Sequence, residues 1–246
     1  MTETLTTARM GDYKSRKILV VDDDPGLVTM LETKLILEGF EVLTARSGLQ
    51  ALNVIEQHGL PHLAIVDIVM PEMDGLAFCQ AVQAFSDFPI IMLTSVDDEE
   101  TTVHALNLYA EDYVIKPFRP RELIARVRRV LRRLGDSVYT FDQATRVDDR
   151  LVVDFTHQRV IVNGETIEMT PTETKLLYIL LRQAGQVSSM DYLQHRLWPH
   201  GAVVEEALRV NIHRLRQKIE PDPRNPIYLH THRGEGYRFS APSRQL

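Results

Sequence analysis

Between Lys17 and Arg133, short apolar runs alternate five times with amphipathic stretches, and this repetition restricts the fold more than any other feature of the chain. The runs begin with Lys17–Val21 and continue at Glu41–Thr44, His62–Val66, Pro89–Leu93 and Asp112–Ile115, each followed by a helical pattern, the first at Pro25–Leu37. Strands this apolar are buried on both faces, which predicts a parallel sheet with helices on either side. Ligands in such folds sit beyond the carboxyl ends of the strands. Polar residues follow four of the five runs at that position: Asp22, Asp23 and Asp24; Asp67; Thr94 and Ser95; and Lys116. The topology brings them to one sheet edge.

Taken singly, each has an ordinary role, since Asp caps helices, Thr and Ser end strands, and Lys-Pro opens a turn. Jointly, carboxylates at close range repel and raise one another's pKa, so the cluster implies a divalent cation. Mg²⁺ accepts such hard oxygen ligands and bridges carboxylates to phosphate oxygens. Lys116 would neutralise phosphoryl charge, Thr94 would donate a hydrogen bond to it, and one Asp would be the covalent nucleophile.

These residues, in the runs Val20-Val21-Asp22-Asp23-Asp24-Pro25, Val66-Asp67-Ile68-Val69-Met70-Pro71, Leu93-Thr94-Ser95 and Tyr113-Val114-Ile115-Lys116-Pro117-Phe118, resemble the receiver domain of bacterial two-component response regulators. The resemblance implies that Asp67 is the phosphoacceptor and that Asp22, Asp23, Asp67 and the Val69 carbonyl hold Mg²⁺. It further implies that Thr94 and Lys116 bind the phosphoryl group, that Tyr113 is an aromatic switch, and that Lys116-Pro117 is cis. A haloacid-dehalogenase-like phosphatase also uses an aspartyl nucleophile. Its motif wants Thr or Val four residues after the first Asp, where this chain has Gly26, and it leaves Asp67 unexplained, so a non-enzyme is expected.

With 246 residues the chain has room for a second domain. Residues 134–149 show neither helix nor strand period and read as a linker. Strands at Arg150–Phe155 and Gln158–Val162 precede an Asn163-Gly164 turn. Thr170-Pro171-Thr172-Glu173 reads as a capping box opening a helix that Gly185 ends. Two more helices follow, around Met190–Trp198 and at Glu205–Ile219, and then short strands flanking Arg233-Gly234-Glu235-Gly236. The net charge of −6 argues against a nucleic-acid binder until it is partitioned: residues 209–246 carry 8 basic and 3 acidic side chains. A local cationic surface is what neutralises phosphates.

Met169-Thr170-Pro171-Thr172-Glu173, Asn211-Ile212-His213-Arg214-Leu215-Arg216 and Arg233-Gly234-Glu235-Gly236-Tyr237-Arg238-Phe239 resemble the winged helix-turn-helix effector of the OmpR/PhoB family. Together the resemblances imply an α/β, five-stranded doubly wound parallel-sheet receiver domain at 15–134, a linker at 135–149 and an α+β winged helix-turn-helix domain at 150–243. They imply His213, Arg214 and Arg216 as contacts of the helix that reads DNA, with Arg209 a departure beside them, and Arg233 as the wing contact. Trp198 precedes the loop associated with RNA polymerase and is read as core. Receiver dimerisation in the family uses the fourth helix, fifth strand and fifth helix, here through Asp112, Glu122, Arg126 and Arg133. The fourth helix departs from the pattern at Thr101-Thr102-Val103-His104.

The expected partners are a sensor histidine kinase, double-stranded promoter DNA, RNA polymerase and a second copy of the chain, with Mg²⁺ as cofactor. An alternative is a phosphorylation-independent DNA-binding regulator that uses its receiver for dimerisation. One cysteine, Cys79, and the lack of any stretch of roughly 18–20 apolar residues match a reducing cytoplasm without membrane insertion.

Overall fold

The computed structural model describes residues 16–95, 110–133, 141, 144–199 and 205–240. In the first part, β1 (Lys17–Val21), β2 (Glu41–Ala45), β3 (Leu63–Asp67), β4 (Ile90–Ser95) and β5 (Asp112–Lys116) form one parallel sheet in the order β2-β1-β3-β4-β5. The chain leaves β1 outward to β2 and returns to β3 on its other side, so the strand order reverses between β1 and β3. The crevice beyond their carboxyl ends is therefore the place where this architecture binds ligands.

Alternation along the strands sends residues to two layers of core. Ile18, Val20, Ile65, Ile91 and Leu93 pack with Leu31 and Leu35 of α1 (Pro25–Leu37) and with Leu123 and Val127 of α4 (Pro120–Arg133). Leu19, Val21, Val66 and Met92 face Ala51 and Ile55 of α2 (Gly48–His58) and Phe78 of α3 (Gly75–Gln83). Each of the first three helices begins on a side chain that accepts from the orphan amides of its first turn: Asp24 from Gly26 and Leu27, Ser47 from Gln50, and Asp74 from Ala77. Three strands run further than the apolar pattern suggests, because backbone pairing carries on through the polar residues: β3 to Asp67, which pairs with Leu93, and β4 and β5 to Ser95 and Lys116, which pair with each other. Thr101-Thr102-Val103-His104 lies outside the described residues.

The second part starts inside the segment read as linker. Thr145–Arg146 (β6) pairs with Val152 and Val153 of β7 (Leu151–Asp154), and β8 (Arg159–Val162) and β9 (Glu165–Glu168) complete an antiparallel sheet. Phe141 is buried, its ring 4.8 Å from that of Tyr178 and 5.5 Å from that of Phe155. A two-residue strand and a lone aromatic carry no period, so pattern reading does not see them. The β8–β9 turn has φ of 52° at Asn163 and 87° at Gly164, the left-handed pair that a two-residue hairpin needs. Next come α5 (Pro171–Arg182), β10 (Val187–Ser189), α6 (Met190–Leu197), α7 (Glu205–Ile219), β11 (Leu229–His232) and β12 (Gly236–Phe239), the last three strands ordered β10-β12-β11. Trp198 is partly buried against the core.

One buried carboxylate ties the start of α5 to the end of α7. Glu173 accepts from the Thr170 amide at 2.9 Å and from Lys218 Nζ at 2.7 Å, while the Thr170 hydroxyl accepts from the Glu173 amide at 3.3 Å. Burial works to raise the Glu173 pKa, but the Lys218 and Thr170 hydrogen bonds outweigh it and hold the carboxyl below its usual range. Because the folded value is depressed, the contribution is present above the unfolded glutamate value of about 4.3 and is lost as pH falls through the folded value. Glu173→Ala removes the cap and strands Lys218, and is expected to cost about 1–3 kcal/mol. Glu173→Gln should flatten this part of the acid limb. Urea unfolding followed by Trp198 fluorescence across pH checks both; an acid limb parallel to the parent's in the Gln variant would contradict the assignment.

Candidate functional site

The expected residues of the first part meet beyond the ends of β1, β3, β4 and β5. Asp22 is fully buried, and Asp67 and Thr94 nearly so. Lys116, the last residue of β5, places Nζ 2.7 Å from Asp22 Oδ2 and 3.1 Å from Asp67 Oδ1. Among the described residues, Asp22, Asp23 and Asp67 form the group able to hold a metal ion, with one oxygen from each inside a 4.8 Å cluster. Asp24, next in sequence, is spent on capping α1, and its amide donates to Asp22 Oδ1 at 3.0 Å. The Lys116-Pro117 bond is cis.

The electrostatics of the pocket are those of an acid cluster in want of cations. Burial raises the Asp67 pKa and the charges of Asp22 and Asp23 add to the rise, while Lys116 pulls the other way. For Lys116, burial alone would lower the pKa, but hydrogen bonds to Asp22 and Asp67 outweigh it and raise the value. The lysine is thus a fully charged counter-ion shared between two carboxylates. The residues fit Mg²⁺: hard oxygens from three carboxylates converge, one of them, Asp23, is exposed to solvent, and Val69, whose carbonyl would be added, is 71% exposed on the adjoining loop. Thr94 Oγ1 donates to the Ser95 carbonyl at 3.1 Å, and Tyr113 is 47% exposed, turned out of the sheet edge.

Sequence reasoning missed Gly75. It opens α3 just after the loop from Asp67, and a Cβ there would lie 2.1 Å from the Asp67 carbonyl oxygen. Its amide donates to the Ile68 carbonyl at 2.9 Å. The helix start is therefore pressed directly against the backbone of the central acid. The Asp-Gly pair at 74–75 was visible, but a close approach is set by tertiary packing, which no local pattern reports.

The β5–α4 face carries a chain of ion pairs within one molecule. Arg126 reaches Asp112 at 3.1 Å and Glu122 at 2.9 Å, Arg129 reaches Asp112 at 2.6 Å, and Arg133 lies 3.4 Å from Glu111. Arg129 is the member that the sequence did not single out. Beside them Tyr113, Ile115, Pro117 and Phe118 line a shallow groove of about 390 Å³.

In the second part the basic residues of α7 divide. His213 and Arg214 are exposed, with no hydrogen-bond or ion-pair partner among the described residues. Arg209 pairs with Glu205 at 2.5 Å, Lys218 with Glu173, and Arg216 with the backbone of β11. Arg233 is exposed on the turn between β11 and β12. The halves touch where Arg196 of α6 meets Asp87 at 2.6 Å.

Gly75→Ala is expected to displace the Asp67 backbone and weaken Mg²⁺ binding on the order of tenfold or more, the scale seen when a group supporting metal ligands is disturbed. Calorimetric titration of Mg²⁺ reads the effect, with circular dichroism as the check on folding. A folded variant with the parent's affinity would show that the close approach has no bearing on the site.

The description "Response regulator receiver domain" matches residues 18–128, and "Transcriptional regulatory protein, C terminal" matches residues 164–239. The chain is 40% identical over 229 residues to the DNA-binding response regulator MtrA of Mycobacterium leprae, covering 92% of this chain and 99% of that protein. It is 39% identical over 229 residues to the probable transcriptional regulator ycf27 of Guillardia theta, covering 91% and 90%. Among solved structures, the OmpR/PhoB homologue DrrB of Thermotoga maritima is 31% identical, covering 92% of this chain and 99% of that one with a TM-score of 0.44. The chain belongs to the OmpR/PhoB-type DNA-binding response regulators, a receiver domain joined to a C-terminal transcriptional regulatory domain.

Proposed function

We propose that this response regulator takes a phosphoryl group from a sensor histidine kinase onto Asp67, dimerises, and binds double-stranded promoter DNA in the cytoplasm, with RNA polymerase as a downstream partner. The single observation that carries the reading is the Lys116 ammonium held between Asp22 and Asp67 at the point where the strand order reverses. A carboxylate so placed is open to an incoming phosphorus on one side and backed by a cation on the other.

An Asp67 carboxylate oxygen attacks the phosphorus of a phosphohistidine; the new O–P bond forms as the P–N bond breaks, and the imidazole nitrogen keeps the electron pair. Asp22, Asp23, Asp67 and the Val69 carbonyl would hold Mg²⁺, which supplies charge neutralisation for the phosphoryl oxygens. Lys116 then finds a stronger anion than either carboxylate and pairs with it. Thr94 exchanges its bond to the Ser95 carbonyl for one to a phosphoryl oxygen, which frees space at the end of β4 for Tyr113 to turn inward. Asp67 is modified once per cycle and acts as an acceptor rather than as the centre of an enzyme.

The face of β5 and α4 that carries Asp112, Glu122, Arg126 and Arg133 is where Tyr113 acts, and this supports it as the dimer surface. Exposed ion pairs contribute about 0–1 kcal/mol each, so they orient the copies while apolar contact supplies affinity. Arg209, His213 and Arg214 of α7 supply contacts in the major groove, and Arg233 suits a narrow minor groove whose potential attracts arginine.

Two results test the reading. Acetyl phosphate with Mg²⁺ should label the parent, and Asp67→Asn should abolish the label; undiminished labelling would place the acceptor elsewhere. Sedimentation of the receiver should show a phosphorylation-dependent shift towards dimer that Arg126→Glu weakens. A shift equal in both proteins would move the interface off this face.

A further inference from the structure

The arginine of α7 that lies nearest the wing is engaged with the protein's own backbone. Arg216 Nε and Nη2 donate to the Leu229 carbonyl at 3.0 and 2.6 Å, and Nη2 also donates to Thr231 Oγ1 at 2.8 Å. One helical turn on, the Glu220 carboxylate accepts from the amides of Ile227, Tyr228 and Leu229, at 2.8 Å for the last. Both backbone polar groups of Leu229 are therefore gripped, the carbonyl by Arg216 of α7 and the amide by Glu220, the residue that follows the helix. Leu229 itself is fully buried, and on its other side β11 pairs with β12. The strand so held is the one that leads, two residues past Thr231, to Arg233.

We propose that Arg216 is a positioning residue that clamps the carboxyl half of α7 to β11 and so fixes the spacing between the helix in the major groove and Arg233 in the minor groove. The inference rests on the DNA-binding reading above and deepens it. A planar guanidinium presents fixed, forked donors that can take a carbonyl and a hydroxyl at once, whereas a lysine ammonium supplies a point charge on a flexible stem. Charge-assisted bonds of this kind are stronger than neutral ones, and DNA would have to replace three of them to draw Arg216 away. Arg214 and His213 are exposed and have no such competing attachment among the described residues.

The test uses the full chain and a duplex selected by it from a random-sequence pool, with binding titrated across salt. As a clamp, Arg216→Ala should weaken binding to all sequences on the order of tenfold while leaving the salt slope unchanged, because no phosphate contact is lost. Its loss should not add to that of Arg233→Ala: once the wing is loose, removing Arg233 should cost less than about threefold further. Arg216→Lys, which keeps the charge, should fail to rescue. The proposal is overturned if Arg216→Ala lowers the slope by about one unit, if its loss multiplies with that of Arg233→Ala, or if Arg216→Lys restores binding, since these mark a direct phosphate contact. A loss confined to one base pair would likewise overturn it by making Arg216 a base reader. Arg214→Ala and Arg233→Ala singly report on the DNA-binding reading itself; parental affinity in both would remove that reading and the clamp with it. Trp198 fluorescence verifies folding, and Arg216→Lys carries the test should the alanine variant not fold.

Discussion

A positive charge shared between two buried carboxylates is the interaction on which the receiver half depends. Asp22, just past the end of β1, and Asp67, the last residue of β3, lie at the ends of neighbouring strands, and burial with repulsion from Asp22 and Asp23 favours a proton on Asp67. Lys116 offsets that tendency from the end of β5, two strands away from β3. The compensation is asymmetric in a useful way: the acids are fixed in the centre of the sheet, while the cation sits on the edge strand at the tip of a flexible stem. Any stronger anion in the pocket draws on the charge that also anchors β5. Since β5 carries Asp112 and Tyr113 as well, a change of partner at its last residue is transmitted along a strand only five residues long. The Asp67 backbone cannot relax to absorb it, because Gly75 is packed against its carbonyl.

How much of this was legible in the sequence follows from which interactions are local. The apolar runs reported the sheet because strands buried on both faces leave almost no choice of residue, as in β1 and β3, where every position is buried. The Asp, Thr and Lys positions were legible because the topology of a parallel sheet brings strand ends together. Strand limits were not, since pairing continued through Asp67 and Ser95 regardless of polarity. Thr145–Arg146 and Val187–Ser189 were invisible because two or three residues have no period and are strands only by virtue of their partners. The same limit hid the partner of Arg216: a run of basic residues on a helix reads alike whether its members face phosphates, a carboxylate such as Glu173, or a backbone carbonyl such as that of Leu229.

That last distinction bears on how the two halves work together. The carboxyl-terminal residues have a cationic excess, but Arg209, Arg216 and Lys218 are engaged by Glu205, β11 and Glu173; among the described residues from 209 onward, Arg214, Arg224 and Arg233 are the exposed arginines whose side chains have no protein partner. Sequence-independent attraction grows with the number of phosphates neutralised, so each cation held by a protein partner subtracts from it. The receiver adds repulsion, since residues 1–134 carry 20 acidic against 14 basic side chains. In the proposed cycle a single copy then gains less from non-specific attraction, and base and groove contacts carry more of the discrimination. In that cycle a second copy on an adjacent half-site supplies occupancy, since tethering raises the effective concentration without any new contact to DNA. In the proposed cycle the sparse cationic charge of α7 and the charge balance at Lys116 are linked requirements: DNA binding that is weak in one copy responds steeply to whatever controls pairing.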